Sequence, residues 1–168
     1  MNGKSLDDIF TFGPAGPEDS GEITAVLEEA AEWLRERSEE LWRPQDLDGD
    51  EIARDVVDGL YRKAAAGTEI AGCFRFQTED KEYWEDVPHS DSAFIHRLAV
   101  RRKYAGSGLA ARLMGIAKDE ARSMGKRYLR LDCANRPRLR AVYEKQGFRF
   151  HSLKRREPYE VARYEFEL

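Results

Sequence analysis

The stretch His96–Gly115, HRLAVRRKYAGSGLAARLMG, joins a short apolar strand, a basic turn carrying two glycines, and the start of a helix. Such a turn leaves backbone N–H groups at a helix N-terminus, where the helix dipole adds positive character, so it is suited to holding a phosphate. The run Gly106-Ser107-Gly108-Leu109-Ala110-Ala111 also spells GxGxxA, the dinucleotide pattern. Which phosphate-binding design the stretch follows decides the fold.

A P-loop places Lys and Ser or Thr directly after its last glycine to reach the phosphates and magnesium. Leu109 and Ala110 stand there instead, and that design is excluded. The dinucleotide design gains some support from Asp132, 24 residues beyond Gly108, where an acidic side chain could take a ribose hydroxyl. Two facts oppose it. Arg101 to Ala105 separate the strand from the glycines, and only 36 residues remain after Asp132, too few for the further βα units. The third design wraps a pyrophosphate in the strand-to-helix loop, with Gly106 and Gly108 allowing close approach and Arg101, Arg102 and Lys103 adding positive potential at the mouth. A tight helix entry with solvated basic residues explains the same letters equally well.

Outward from this unit, IFTFGPAGPED reads as a short first strand ended by Gly13, Pro14, Gly16 and Pro17. Ile23, Leu27, Ala30 or Ala31, and Leu34 then recur at helical steps, opposite a charged face. A second helix is predicted from Asp48 or Asp50 to near Gly59, with Ile52, Val56 and Val57 inward. DLDGDEIARDVVD imitates a calcium loop, but Glu51 and Val57 stand where Gly and Glu are required, so its aspartates read as helix caps. LYRKAAAG and TEIAGCFRFQTE predict a hairpin turning at Gly67, and SAFIHRLAV a strand after an acidic, aromatic loop. The long helix after the glycine turn buries Leu109, Leu113, Ile116 or Ala117, and Ala121. RYLRLDCA is a strand, and Arg136 to Gln146 a helix with Pro137 in its first turn and Gly147 as its stop. A last hairpin follows, whose final strand alternates Tyr164, Phe166 and Leu168 inward with Arg163, Glu165 and Glu167 outward. The order βααβββαβαββ predicts an α+β fold with a mixed central sheet flanked by helices, a single domain over residues 1–168.

Composition narrows the classes. The chain is 41% hydrophobic and 36% charged with a net charge of −4, which speaks against a general nucleic-acid binder. Neither a signal core, a myristoylation pattern nor a membrane-spanning run is present, so the expectation is a cytoplasmic protein without a membrane partner. Cys73 and Cys133 lie 60 positions apart without metal-ligand neighbours, so they read as buried thiols, and no metal is expected.

Downstream, LRLDCANRPRLRAVYEKQGF places Asn135 after a strand, Tyr143 on the next helix and Gly147-Phe148 at its stop. At these residues the chain resembles the GCN5-related N-acetyltransferase (GNAT) superfamily, which moves acetyl groups from acetyl-CoA to amines. The family turn Q/R-x-x-G-x-G/A aligns with Ala105-Gly106-Ser107-Gly108-Leu109-Ala110, and YEKQGF matches its Y-E-x-x-G-F signature. The resemblance runs from about Phe94 to Phe148. Two positions depart from it: Ala105 replaces Gln or Arg, with Lys103 or Arg102 as substitutes, and Asn135 precedes Tyr143 by eight residues rather than seven.

The resemblance implies acetyl-CoA as donor, held by backbone around Leu98, Ala99 and Val100 for the pantetheine arm, by Lys103 and Ala105 to Ala110 for the pyrophosphate, and by Asn135 and Tyr143. Tyr143 would protonate the departing sulfur, since a phenol stays protonated at neutral pH yet lies near a thiol in acidity. Its other reading is a core residue in step with Leu139, Val142 and Gln146. For the base, His96 shares a strand face with Leu98 by alternation, although a lone histidine in an apolar strand is often a core residue. Glu82, Glu85 and Asp86 are alternatives. Trp42, Tyr83 and Trp84, with Asp86 and its acidic neighbours, would form an aromatic and anionic wall favouring a cationic amine. The acceptor is a small-molecule or peptide amine attacked directly in a ternary complex, and homodimerisation is left open. The other class is a sensor that binds acetyl-CoA without chemistry.

Overall fold

The computed structural model describes residues 5–168. The helices are α1 (Leu6–Ile9), α2 (Ser20–Glu36), α3 (Gly49–Val57), α4 (Leu109–Ser123) and α5 (Pro137–Lys145). The strands are β1 (Thr11–Pro14), β2 (Tyr61–Ala66), β3 (Glu69–Gln77), β4 (Ser92–Val100), β5 (Tyr128–Ala134), β6 (Arg149–Arg156) and β7 (Tyr159–Glu167). They follow the order β1-β2-β3-β4-β5-β7-β6 in a mixed seven-stranded sheet. The expected α+β order holds, with one addition. Ser5 caps α1 and Asp8 returns a bond to the Ser5 N–H, a capping box within SLDD that starts a helix the apolar pattern does not reveal. The chain forms two compact units, Met1–Arg75 with Arg97–Leu113, and Phe76–His96 with Met114–Leu168.

In the first unit β1, β2 and β3 form an antiparallel meander. Ile23, Val26, Leu27 and Ala31 of α2, spaced at helical steps, bury with Ile52 and Val56 of α3 against Tyr61, Ile70, Cys73 and Ala99. The Asp48 carboxylate accepts the N–H groups of Asp50 and Glu51, so the calcium-like run is a cap. Asp48→Ala should cost about 1 kcal/mol in urea unfolding, the ordinary value of such a cap. Val57 corrects the sequence reading. It is 66% exposed, because one residue past Val56 turns it about 100° off the buried stripe. Asp55, one turn from Ile52, is buried instead and pairs with Arg75 at 3.0 Å.

In the second unit β4 and β5 run parallel, paired over Ser92–Phe94 against Tyr128–Arg130. β5 pairs along its length with β7, and β7 with β6. β7 departs from the expected wet and dry alternation: Val161, Ala162, Arg163 and Tyr164 are all buried. The reason is the loop before β4. Asp86 takes both Arg163 guanidinium arms at 2.5 and 2.9 Å, the Tyr83 carbonyl accepts a third bond, and the Trp84 ring lies 4.7 Å from the guanidinium carbon. A buried arginine is tolerated because each face and edge finds a partner.

Candidate active site

In the first unit, Arg102–Tyr104 form a single 3₁₀ turn after β4. Arg101 is tied down by the Ile70 carbonyl and by Glu29, both at 2.8 Å. The Arg102 guanidinium stacks 3.9 Å over Trp33, and Lys103 pairs with Glu69 at 2.7 Å. These basic side chains brace the loop from behind, so the expectation that they supply positive potential at its mouth is corrected for Arg101 and Lys103, whose charges are matched by carboxylates. The donors are backbone groups. Gly106 and Gly108 have φ of 77° and 89°, the left-handed region that glycine enters without strain. Nothing lies within 4 Å of a Cβ placed on Gly106, so conformation rather than crowding within the protein demands glycine. The first bond of α4 runs from the Arg112 N–H to the Gly108 carbonyl, which leaves Leu109, Ala110 and Ala111 without acceptors inside the helix. The Ser107 hydroxyl caps the Leu109 N–H at 3.3 Å. Ala105 is extended and its N–H closes the 3₁₀ turn on Arg102.

Leu98 and Val100 at the end of β4 are half-buried and Ala99 is buried. Arg97 interrupts this strand with φ 51°, a rare conformation for a side chain of its size. The two-residue alternation that put His96 and Leu98 on one face therefore does not carry across Arg97.

The second unit holds the titratable cluster. The Nε2 atom of His96 lies 3.0 Å from Asp80, and Nδ1 lies 3.5 Å from Asp132. Asp80 is 4% exposed and also accepts the N–H groups of Glu82 and Tyr83, both at 2.9 Å. Burial alone would raise its pKa, but His96 and those N–H groups outweigh it, and the carboxyl ends below its usual range. Asp132 goes the other way. Burial pushes its pKa up to about 6, with Asp80 and Glu82 adding to the rise and His96 and Arg163 opposing it. The donor atoms of Asp80, His96 and Asp132 come within 4.8 Å of one another, but the carboxylates address opposite ring nitrogens rather than one common point.

Tyr143 on α5 stands against Phe148 and Tyr164, with ring centroids 6.3 and 6.4 Å away. Burial raises its pKa, and Cys133 and Asp132 raise it further, so the phenol keeps its proton well into alkaline pH. The Cys133 thiol is itself pushed up to about 12 by burial, which leaves it inert as a nucleophile. The Asn135 amide donates to Glu160 at 2.9 Å and its oxygen accepts from Arg140 at 3.1 Å.

The residues expected to form the acceptor wall are engaged within their own units. Trp84 is fully buried, Trp42 packs against the core of the first unit, and Asp86 is held by Arg163, which lowers its pKa to about 2. Glu85 pairs with Lys154 and Glu82 with Arg156, so the acidic loop is matched by hairpin cations rather than open to an amine. Tyr83 faces Arg156 at 5.6 Å. Nothing in the spacing of Asp80 and Asp132 marks them as neighbours of His96. The usable signal was register, since pairing Phe94 with Arg130 brings His96 level with Asp132.

The chain thus combines a mixed seven-stranded sheet with a strand, glycine turn and helix whose N-terminus suits a phosphate. A model of the Acetyltransferase (GNAT) family matches residues 23–148. The chain is 31% identical over 159 residues to the Bacillus subtilis (strain 168) protein named "uncharacterized N-acetyltransferase YesJ", covering 89% of this chain and 87% of that one. Its fold matches a GNAT-family acetyltransferase of Listeria monocytogenes 4b F2365, with TM-score 0.78, 23% identity and 95% of each chain covered. It also matches YncA of Salmonella typhimurium, solved with its cofactor acetyl-CoA, with TM-score 0.71, 16% identity and 94% and 93% of the chains covered. The chain belongs to the GNAT acetyltransferase family and is an acyltransferase. Among the described residues no helix is long and apolar enough to cross a membrane.

Proposed function

We propose that this protein transfers an acetyl group from acetyl-CoA to a primary amine of a small molecule or peptide, by direct attack in a ternary complex. The observation that carries the reading is the turn at Gly106–Gly108, where left-handed glycines and the Ala110 and Ala111 N–H groups, without acceptors inside α4, present a donor set suited to a pyrophosphate. Bound there, acetyl-CoA supplies an activated thioester. The backbone of Leu98–Val100 pairs with its pantetheine arm as an added strand would, and an N–H there polarises the thioester carbonyl. His96 receives the amine proton. It is preferred to Glu82, whose carboxylate is 56% exposed and engaged with Arg156 at 3.2 Å. Tyr143 gives its proton to the departing sulfur, so the thiol leaves neutral.

The test is thermal stabilisation by acetyl-CoA followed by thiol release across a panel of amines. Saturating acetyl-CoA at a hundredfold excess over its Kd should add about 2.7 kcal/mol to stability. Steady thiol release with some amine separates an enzyme from a sensor, and absence of stabilisation overturns the reading. In Gly108→Val, a β-branched residue at φ 89° strains the turn, and acetyl-CoA affinity should fall at least about tenfold. Unchanged affinity by calorimetry would remove the turn from the site.

A further inference from the structure

Within the first unit, the segment before β1 folds onto the glycine turn. Leu6 brings its Cδ1 atom within 3.7 Å of where a Cβ on Gly108 would stand. Its neighbour Asp7 holds Arg112: Oδ1 accepts from Nε at 2.9 Å and Oδ2 from Nη2 at 3.1 Å, the two-pronged fit of a guanidinium to an oxyanion. Phe10 anchors the segment. It is 4% exposed, and its ring packs edge to face with Tyr104, in the 3₁₀ turn before the glycines, at 5.3 Å. Arg112 is the fourth residue of α4, and its N–H bonds the Gly108 carbonyl at 3.0 Å. Helical side chains lean toward the helix N-terminus, so this one covers the turn that precedes it, beside the Ala110 and Ala111 N–H groups.

A negative charge at that place opposes a phosphate, yet the helix dipole and the Arg112 fork favour an anion there. Asp7 meets both conditions as an internal stand-in, because carboxylate and phosphate offer a guanidinium the same pair of oxygens. The pair is also open to exchange. The Asp7 side chain is 56% exposed and that of Arg112 36%, and an ion pair so accessible to water is weak.

We propose, on the acetyl-transfer reading above, that Arg112 is a phosphate ligand of acetyl-CoA and that Asp7 is its built-in competitor. Binding exchanges the Asp7–Arg112 pair for a phosphate–Arg112 pair. While Asp7 holds the fork, the turn offers its N–H groups without the guanidinium, so the segment Ser5–Phe10 sets the affinity for the cofactor. The coupling is reciprocal: acetyl-CoA loosens the segment by the factor that the segment weakens acetyl-CoA.

Calorimetric binding of acetyl-CoA to the full chain tests the exchange, in the wild type, Asp7→Asn, Arg112→Gln and the double variant. Asp7→Asn leaves the Ser5–Asp8 capping box intact and should tighten acetyl-CoA about fivefold, the upper range for an exposed ion pair. Arg112→Gln should weaken it about tenfold, and adding Asp7→Asn should then recover less than about twofold, since Asp7 acts through Arg112. The sign of the Asp7→Asn effect decides even if Arg112→Gln does not fold. With 3′-dephospho-acetyl-CoA the Asp7→Asn gain persists if the pyrophosphate takes the fork and vanishes if the 3′-phosphate does. Unchanged or weaker acetyl-CoA binding by Asp7→Asn makes the segment a brace for the turn and overturns the proposal, while wild-type binding and thiol release still carry the acetyltransferase reading. Inorganic pyrophosphate is the second probe. If the wild type binds no acetyl-CoA, that reading fails, and tighter pyrophosphate binding by Asp7→Asn still decides for exchange at Arg112, equal binding against it.

Discussion

Replacing Tyr143 with phenylalanine is expected to lower kcat about a hundredfold and leave the Kd for acetyl-CoA within about twofold. The substitution removes one oxygen. The ring keeps its places against Phe148 and Tyr164, so α5 should pack as before. What disappears is the proton for the sulfur. Burial, with Cys133 and Asp132 nearby, holds the phenol protonated far above neutral pH, so the donor is in its working state wherever the amine reacts. No alkaline limb of the rate profile should belong to Tyr143. Thiol release measured beside calorimetric binding of acetyl-CoA checks this. An unchanged kcat assigns Tyr143 to packing alone.

Trp84→Ala should destabilise the protein by about 3–5 kcal/mol, the usual cost of removing a large buried aromatic side chain. Trp84 is 0% exposed, and its ring meets Phe94 and His151 at 6.2 and 5.2 Å. The guanidinium carbons of Arg163 and Arg130 lie 4.7 and 5.5 Å from it. Removing the ring strips Arg163 of the surface that makes its burial tolerable and loosens the loop that delivers Asp80 to His96. Activity should therefore fall with stability. Trp84→Phe is the control, because the indole N–H has no hydrogen-bond acceptor among the described residues. Phenylalanine keeps an aromatic ring in place without that unpaired donor, so its loss should be much smaller. Urea unfolding at neutral pH measures both. A loss below about 1 kcal/mol for Trp84→Ala would return Trp84 to the substrate wall suggested by its neighbours in sequence.

That wall shows where local reading fails. Tyr83, Trp84 and Asp86 lie together in the chain beside other carboxylates, and proximity suggests a cationic pocket. Their partners are Arg156 and Arg163, distant in sequence and brought close only when the hairpin β6–β7 folds. The same holds for Arg163 itself. Alternation along β7 assigns it to solvent, but the loop carrying Trp84 covers that face. Val57 fails for a smaller reason, one residue's turn around a helix. By contrast the long amphipathic helices, both hairpins and the glycine turn were readable, because each is specified by residues within a few positions of one another.

Local chemistry in the chain thus determined the element order, the α+β class, the need for glycine at positions 106 and 108 and the motif around Tyr143 that signals the family. Tertiary structure alone decided which titratable side chains come together. Asp80, His96 and Asp132 come from a loop and two strands, and no spacing rule links them. The parallel register of β4 on β5 brings His96 level with Asp132, while the folded loop places Asp80 at the opposite ring nitrogen. Hydrogen bonding and charge interactions depend on distances of a few ångströms, and only the folded chain sets distances between residues so far apart in sequence.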